Sequence, residues 1–283
     1  MNGGFADRSV STSPSALVSA KLIISQIRSI VNKGDGLKVT LNRPVQGNAI
    51  NNNMVADLMD LVTQLRHAPD IHYVVLTGQG KFFSAGYDMA DSAKNLEDIS
   101  LTENHIRAHQ LDGNELMRKL ENIEQITICG INGITVGGGL TLGMACDFSV
   151  MDSEAWISVP EVNLGMFYAW GSTPLLIKLV GGPKAKEIIM MCDRIDANEA
   201  LNIGLVNRVA PPGQLNIVIE EILSKLRQSP FPPIRVTKKI VNSIEATTMG
   251  NIGVFESEMH EQLHFSGLPT KCIVDMVQSR LKK

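Results

Sequence analysis

The stretch ITICGINGITVGGGLTLGMACD, residues 126–147, contains the pattern that decides the fold. Residues 126–131 are typical of a strand buried on both faces, and they run into a glycine-rich turn. Three successive glycines, residues 137–139, then precede an apolar helical run that ends near Cys146. The start of such a helix presents N–H groups without intrahelical acceptors, which favour negative charge. The same glycines are also compatible with a tight turn that only allows close helix packing.

Similar patterns lie on both sides of this stretch. Strand patterns occur at residues 37–41, 72–77, 147–151 and 155–159, and helical patterns at residues 52–67 and 100–121. In the first of these helices, one face is predicted to carry Met54, Leu58, Leu61 and Leu65. Because strands alternate with helices, the sequence predicts an α/β fold of packed layers.

The chain is predicted to have three parts. Residues 1–30 read as an N-terminal extension, and segment 21–31 at its end is compatible with a strand or a short helix. Residues 31–213 carry the alternating strand and helix patterns and form the core. Residues 214–283 show only helix signals, so they are predicted to be a helical cap or an assembly module.

Composition and charge narrow the function classes. With 283 residues, 44% of them apolar, the chain can bury the core of one domain with an appendage. The net charge of −3 provides no positive field for nucleic acid or an anionic membrane, so a small-molecule ligand is favoured. No apolar run approaches the ~20 residues that a membrane-spanning helix needs, and we expect a soluble protein without a membrane partner.

The cysteines and the chain ends bear on the compartment. The four cysteines are far apart in sequence, which favours reduced thiols over a disulfide framework and therefore an intracellular location. The N-terminus lacks the apolar region of a secretory signal, and the C-terminal SRLKK is not the peroxisomal S-K-L signal. Cytoplasm, mitochondrion and peroxisome all remain open.

A second glycine-bearing segment is LTGQGKFFSAGYDM, residues 76–89. A strand ends there in glycines, and the small residues 84–86 would let a ligand reach main-chain donors. Taken alone, the segment is equally compatible with an ordinary turn.

These two segments, together with VTLNRPVQGNAI at residues 39–50, resemble the crotonase (enoyl-CoA hydratase/isomerase) family. The three motifs occur in the family's order, and the resemblance covers about residues 36–210. It implies an α/β fold of stacked ββα units in a superhelix, with a C-terminal helical region that assembles into a homotrimer or a dimer of trimers. It also implies an acyl-CoA thioester substrate, with coenzyme A bound as part of the substrate and no permanent cofactor or metal.

The resemblance also assigns roles to residues. It implies that the backbone N–H groups of Tyr87 and Gly138 form an oxyanion hole. Removing a proton beside a thioester carbonyl places charge on that oxygen, and losing one pre-aimed donor typically costs ~10²-fold to 10³-fold in rate. Contacts with CoA or the acyl pocket are implied for Ser84, Ala85, Asp88 and Met89.

The catalytic carboxylates decide which reaction the resemblance implies. Hydratases of the resembled family use two glutamates, and Pro160-Glu161 matches the second of them. Thr141 stands at the first position, and a threonine hydroxyl cannot act as a general acid or base near neutral pH. One glutamate suffices for the family's Δ3,Δ2-enoyl-CoA isomerases, so Glu161 is the predicted catalytic base. Its pKa is expected to be raised by its apolar neighbours, Val159, Val162, Leu164 and Met166.

Several alternatives to the isomerase remain. A hydratase could use water with Glu161 alone or with Tyr168, and other crotonase reactions such as hydrolysis or decarboxylation are open. A non-catalytic scaffold that binds CoA esters has the same fold requirements. The aromatic residues Phe167, Tyr168 and Trp170 either narrow the acyl pocket or belong to the core.

Two further motifs point to other chemistry and are disfavoured. HEQLH at residues 260–264 fits the zinc motif H-E-x-x-H but lacks a third ligand, and His105 and His109 share that spacing on a solvated helix face. The glycines 137–143 loosely fit a dinucleotide-binding fingerprint. That fingerprint normally opens a domain, whereas a long patterned core precedes these glycines.

Overall fold

The computed structural model describes residues 23–89, except 25 and 33, and residues 99–249, together with a few positions between 267 and 278. For part of these residues, including 99–109, only the backbone is described. The strands are β1 (Ile23–Ile24), β2 (Ile27–Asn32), β3 (Gly36–Leu41), β4 (Tyr73–Gly78), β5 (Phe82–Ser84), β6 (Ile126–Ile131), β7 (Ile134–Val136), β8 (Phe148–Asp152), β9 (Trp156–Ser158), β10 (Ile195–Asp196) and β11 (Arg208–Ala210). The helices are α1 (Asn52–Leu65), α2 (Ile99–Glu121), α3 (Gly138–Met144), α4 (Ser172–Met191, broken at Gly181), α5 (Ala197–Asn202), α6 (Leu215–Leu226) and α7 (Phe231–Met249), and 3₁₀ turns span Pro44–Gln46 and Glu161–Leu164.

The strands form two sheets. The larger sheet has seven strands in the order β1-β2-β3-β4-β6-β8-β11, and the smaller has four in the order β10-β9-β7-β5. Strands β3, β4, β6, β8 and β11 pair in parallel, whereas β1 and β2 form an antiparallel edge. The units β4-β5-α2, β6-β7-α3 and β8-β9-α4 each place their first strand in the larger sheet and their second in the smaller. This repetition confirms the predicted stack of ββα units.

The larger sheet is covered on both faces. Along β4, Val74 and Leu76 belong to the core cluster that includes α1, whereas Tyr73 and Val75 belong to a second cluster formed with α6. Successive side chains of a strand point to opposite faces, so a continuous apolar run can bury both. All six residues of β6 are buried in the same way. The predicted α/β layers are therefore confirmed.

Helix α1 forms where the helical spacing predicts it. Its N-cap is Asn51, whose side chain accepts a hydrogen bond from the Met54 N–H at 3.0 Å. The predicted apolar face is buried, with exposures of 0–3% at Met54, Leu58, Leu61 and Leu65. Burying one such side chain stabilises the fold by about 1.5–3 kcal/mol, so this face fixes α1 on the sheet.

Four short strands, β5, β7, β10 and β11, were not predicted. They contain two or three residues each, which is too short for a period of two to be recognised. Strand β10 pairs with β9 and β11 pairs with β8, so both depend on strands that are distant in sequence. Strand β2 begins at Ile27, inside the segment predicted as an extension, and pairs with β3.

The last two described helices pack on their own chain. Helix α6 contributes four buried residues to the second core cluster, Leu215, Ile219, Ile222 and Leu223. The expected role of residues 214–283 in assembly stays a prediction. Of the helices described here, none combines the length and the hydrophobicity that a bilayer crossing would require.

Helix α7 is joined to the sheet by an ion pair between a buried lysine and a partly buried aspartate. Lys238 is 8% exposed, and its Nζ donates to the Gln125 carbonyl and to Asp147 Oδ2, both at 2.8 Å. The same Asp147 oxygen accepts the Thr127 N–H at 2.7 Å and its hydroxyl at 2.9 Å. The carboxylate therefore connects the start of β6, the loop before β8 and α7.

Replacing Lys238 with methionine should destabilise the protein. The change keeps most of the side-chain volume but leaves Asp147 without its countercharge, and breaking a buried pair typically costs ~3–5 kcal/mol. Because Asp147 keeps its bonds to Thr127, we expect a loss of about 2–4 kcal/mol in urea unfolding. The matched control is Lys239→Met, whose partner Glu124 is exposed, and it should cost under about 1 kcal/mol. Equal losses in the two variants would contradict the anchoring role.

Candidate active site

The chain that follows β5 is held by an isolated parallel bridge. The Ile50 N–H donates to the Gly86 carbonyl at 2.7 Å, and the Asp88 N–H donates to the Ile50 carbonyl at 3.0 Å. In a parallel bridge, the residue between these two bonds directs its own N–H and C=O away from the partner. The Tyr87 N–H therefore points to the opposite side, toward the start of α3.

Asn48 stabilises β5 and the chain that follows it through hydrogen bonds. It is fully buried and adopts a left-handed φ of 54°, which asparagine tolerates better than most residues. Its Nδ2 donates to the carbonyls of Gln79 and Phe82, and its Oδ1 accepts the Arg43 N–H. Its own carbonyl accepts the Ser84 hydroxyl at 2.9 Å. The Asn-Arg-Pro and Asn-Ala motif, which contains Arg43 and Asn48, thus holds β5 and the residues after it in position.

The end of β5 and the start of α3 approach so closely that glycine is required. A Cβ on Gly86 would lie 2.6 Å from the Val136 carbonyl oxygen, and Gly86 has a φ of 83°. A Cβ on Gly139 would lie 2.7 Å from the Ser84 Cβ. No side chain fits at either position, so the two backbones lie in direct contact.

This contact brings the two predicted oxyanion donors together. A Cβ on Gly86 would be 3.4 Å from the Gly138 nitrogen, and a Cβ on Gly138 would be 3.7 Å from the Tyr87 nitrogen. Gly138 is the first residue of α3, so its N–H has no acceptor within the helix. Tyr87 and Gly138 are partly exposed, whereas Gly86 and Gly137 are buried. The arrangement can receive an oxygen atom that carries negative charge.

Glu161 places its carboxyl group beside this pair. It follows Pro160 and β9, and its Oε1 would lie 2.0 Å from a Cβ on Gly137, so the carboxyl occupies the space of the missing side chain. Its Oε2 is buried without a hydrogen-bond partner. Burial raises the pKa of Glu161 from 4.5 to about 7. Of the apolar neighbours expected to cause this, Val159 is fully buried, whereas Val162 is 42% exposed.

Thr141 belongs to a buried cluster of hydroxyl groups. It is fully buried, and its Oγ1 lies 3.1 Å from the Tyr168 hydroxyl and 2.7 Å from the Ser172 hydroxyl. Tyr168 donates to the Gly137 carbonyl at 3.2 Å. Burial, and then the charge of nearby Glu161, raise the pKa of Tyr168 well above its usual value, so it stays protonated. The position at which the family's hydratases carry their first glutamate is therefore occupied here by a hydrogen-bonded threonine.

The aromatic residues divide between core and site. Tyr168 and Trp170 are core residues, with 1% and 4% exposure, whereas Phe167 is half-buried. A Cβ added to Gly113 would lie 2.5 Å from the Trp170 ring, and one added to Gly138 would lie 3.2 Å from it. Sequence reasoning missed Gly113; a glycine inside a helical pattern was the available signal.

The four predicted CoA contacts differ in accessibility. Ser84 is fully buried with its hydroxyl bonded internally, so its structural role is to support Gly86, whose N–H it accepts at 3.2 Å. Asp88 is 8% exposed and forms an ion pair with Arg43 at 2.7 Å. Ala85 and Met89 are half-buried and keep surface that a ligand could touch.

The competing motifs are described only in part. His260 and His264 lie outside the described residues, as do the side chains of His105 and His109. Gly143 packs against Cys129, whose Sγ would lie 3.3 Å from an added Cβ, which is a packing role. The four cysteines are free thiols.

These features define an α/β protein in which two main-chain N–H groups and one buried carboxyl group converge. The profile of the enoyl-CoA hydratase/isomerase family matches residues 33–266. The chain is 33% identical over 221 residues to a short-chain-enoyl-CoA hydratase of Clostridium acetobutylicum, covering 78% of this chain and 82% of that protein. It is 34% identical over 215 residues to a crotonyl-CoA hydratase of Syntrophomonas wolfei, covering 75% and 80%. The chain belongs to the enoyl-CoA hydratase/isomerase family, the crotonase family of the sequence analysis.

Solved structures with the same fold include both activities. An enoyl-CoA hydratase from Bacillus anthracis superposes with a TM-score of 0.73 at 29% identity, covering 91% of this chain and 96% of that one. A monofunctional enoyl-CoA isomerase from M. smegmatis superposes with a TM-score of 0.65 at 26% identity, covering 78% and 94%. The fold likeness alone therefore does not choose between hydration and isomerisation.

Alanine at position 137 should disrupt the site. The methyl group of Gly137→Ala would overlap the Glu161 carboxyl. The backbone would also be strained, because residues with a side chain rarely adopt a φ of 47°. We expect at least about a 10²-fold loss of the rate measured with acyl-CoA substrates, by analogy with the loss of one oriented catalytic group. Gly182→Ala is the matched control, because a Cβ there meets no atom within 4 Å. Full activity of the Gly137 variant would contradict the geometry.

The raised pKa of Glu161 predicts a pH-dependent stability. A carboxyl whose pKa is about 7 when folded and about 4.5 when unfolded stabilises the fold while protonated, and this contribution is lost as the pH rises from about 4.5 to 7. The Glu161→Gln variant lacks this loss. Its free energy of unfolding, relative to the wild type, should therefore increase by about 2–3 kcal/mol between pH 5 and pH 8. A constant difference across this range would show that the carboxyl is not desolvated.

Proposed function

We propose that this protein is an acyl-CoA isomerase, most similar in mechanism to an enoyl-CoA isomerase with one catalytic glutamate. The observation that carries the proposal is the carboxyl group of Glu161. Its Oε2 is buried without a hydrogen-bond partner, and the group lies against Gly137, the residue that precedes the Gly138 N–H in the chain. A carboxyl with a pKa of about 7 can both accept and return a proton at neutral pH.

In the proposed reaction, the thioester oxygen of a 3-enoyl-CoA accepts hydrogen bonds from the N–H groups of Tyr87 and Gly138. Glu161 removes a proton from the carbon next to the carbonyl, and the electron pair spreads over the enolate and the adjacent double bond. The same carboxyl then delivers the proton two carbons further along. The C2=C3 double bond forms as C3=C4 is lost, so atoms and charge balance. The N–H donors stabilise the charge that develops on the oxygen.

Thr141 supports a single-base mechanism. Its hydroxyl is committed to Tyr168 and Ser172, and no carboxylate stands at this position to hold a second proton. Tyr168 is a poor acid because its pKa is raised well above the usual value. Proton transfer is therefore assigned to Glu161 alone.

Hydration is the second candidate, and the names of the relatives favour it. The relatives in Clostridium acetobutylicum and Syntrophomonas wolfei are named as hydratases. In this alternative, Glu161 alone would activate the water and supply the proton. Incubation of the enzyme with 2-enoyl-CoA and 3-enoyl-CoA esters of several chain lengths separates the candidates. Double-bond migration supports the isomerase, and formation of 3-hydroxyacyl-CoA contradicts it.

Glu161→Gln should abolish exchange of the α-proton of a bound acyl-CoA. The amide cannot accept the proton, so deuterium wash-in from heavy water should fall by at least about 10²-fold while CoA-ester affinity changes by less than about threefold. In the wild type, the wash-in rate should rise with pH and level off above about 7, where the carboxyl is ionised. The exposed Glu154→Gln is the matched control.

The outcomes also separate enzyme from scaffold. Undiminished exchange in the Gln variant would remove Glu161 from the mechanism. Absence of wash-in for the wild type, with straight, branched and aromatic acyl-CoAs that bind, would favour a CoA-ester-binding scaffold.

A further inference from the structure

The Gly137 carbonyl belongs to the same peptide group as the Gly138 N–H. Resonance across a peptide bond couples its two ends, so a hydrogen bond accepted by the oxygen makes the N–H more positive. The Gly137 oxygen accepts the N–H groups of Leu140 at 2.8 Å and Thr141 at 3.2 Å, as expected at a helix start. It also accepts the Tyr168 hydroxyl at 3.2 Å. The Thr141 hydroxyl lies farther from the same oxygen, at 3.4 Å, and belongs to α3 itself. Of these donors, only Tyr168 comes from outside the helix.

The Tyr168 hydroxyl is held in one orientation. The residue is 1% exposed, so water cannot compete for its proton. Thr141 donates to the hydroxyl oxygen at 3.1 Å, which directs the tyrosine proton onward to Gly137. The Thr141 hydroxyl also lies 2.7 Å from the Ser172 hydroxyl, and because the Thr141 proton points to Tyr168, Ser172 is the donor in this second bond. A chain of hydrogen bonds in a low-dielectric interior strengthens each of its members.

We propose that Tyr168 is a positioning residue of the oxyanion hole: its hydroxyl orients the Gly137–Gly138 peptide and polarises the Gly138 N–H toward the thioester oxygen. The proposal rests on the proposed function, because it requires the Gly138 N–H to bind that oxygen. It explains why this position carries a hydroxyl: a phenylalanine would fill the same space without donating to Gly137. Thr141, which cannot act on protons itself, acts through Tyr168.

The test compares Tyr168→Phe with the wild type. The variant removes one oxygen atom and keeps the buried ring. Butyryl-, hexanoyl- and decanoyl-CoA, each labelled with ¹³C at the thioester carbonyl, serve as probes in isotope-edited infrared spectroscopy. Binding to the wild type should lower the carbonyl stretching frequency, and Tyr168→Phe should move the band back toward the free value. The α-proton exchange rate should fall about 10-fold, less than the ~10²-fold to 10³-fold for losing a whole donor. Probe affinity should change less than twofold.

Tyr73→Phe is the matched control. Tyr73 is also a buried tyrosine, with 2% exposure, but it belongs to the second core cluster, which contains none of the site residues, so the loss of its hydroxyl should leave the carbonyl band and the exchange rate within twofold of the wild type. If Tyr73→Phe shifts the band as far as Tyr168→Phe, the effect does not come from the bond to Gly137 and the proposal is overturned. An unchanged band in Tyr168→Phe also overturns it.

Two further outcomes are distinguishable. If Tyr168→Phe does not fold, Thr141→Val removes the donor to the tyrosine oxygen, and it should reduce the band displacement partially; an unchanged band then overturns the proposal. If no labelled probe shows a displaced carbonyl band in the wild type, the proposed function itself fails. If the wild type shows the displacement and Tyr168→Phe shows the same displacement, only the role of Tyr168 is overturned.

Discussion

The contact between the end of β5 and the start of α3 is the constraint on which the site depends. Strands β5 and β7 are neighbours in the small sheet, and β7 leads directly into α3. The backbone of Gly86 therefore lies against the Val136 carbonyl, and Gly139 lies against Ser84, at distances that leave no room for a Cβ. This approach places Gly138 next to the Tyr87 nitrogen, which would lie 3.7 Å from a Cβ on Gly138. Parallel pairing in the small sheet thus determines the functional geometry.

Gly137 connects the chemical parts of the site. Its Cα faces the Glu161 carboxyl, its carbonyl accepts the Tyr168 hydroxyl, and its peptide carries the Gly138 N–H. A buried carboxyl without a partner on one oxygen destabilises the ionised form, which is why the pKa of Glu161 lies about 7. The free-energy cost of burying a carboxylate therefore falls on Glu161, the base in the proposed reaction.

The rest of the fold holds this arrangement in place. Asn48, in a left-handed conformation, accepts and donates hydrogen bonds that fix β5, and Arg43 pairs with Asp88 beyond it. On the side of the larger sheet, Lys238 ties α7 to Asp147 near the end of α3. These polar groups are buried or partly buried and are hydrogen-bonded, so they specify one geometry where apolar contacts alone would allow several.

The sequence by itself determined the strands β4 and β6, the helix α1 and the glycine positions. These depend on local periodicity, capping and φ preference, which a short window of residues contains. It also allowed Glu161, Tyr87 and Gly138 to be named, through a family resemblance. Only the tertiary structure decided that Ser84 is buried, that Thr141 is bonded to Tyr168 and Ser172, and that Gly113 receives Trp170. The sequence patterns also did not reveal strands β10 and β11. Each of these features depends on contacts between residues far apart in the chain, and no local pattern records which distant atoms will meet.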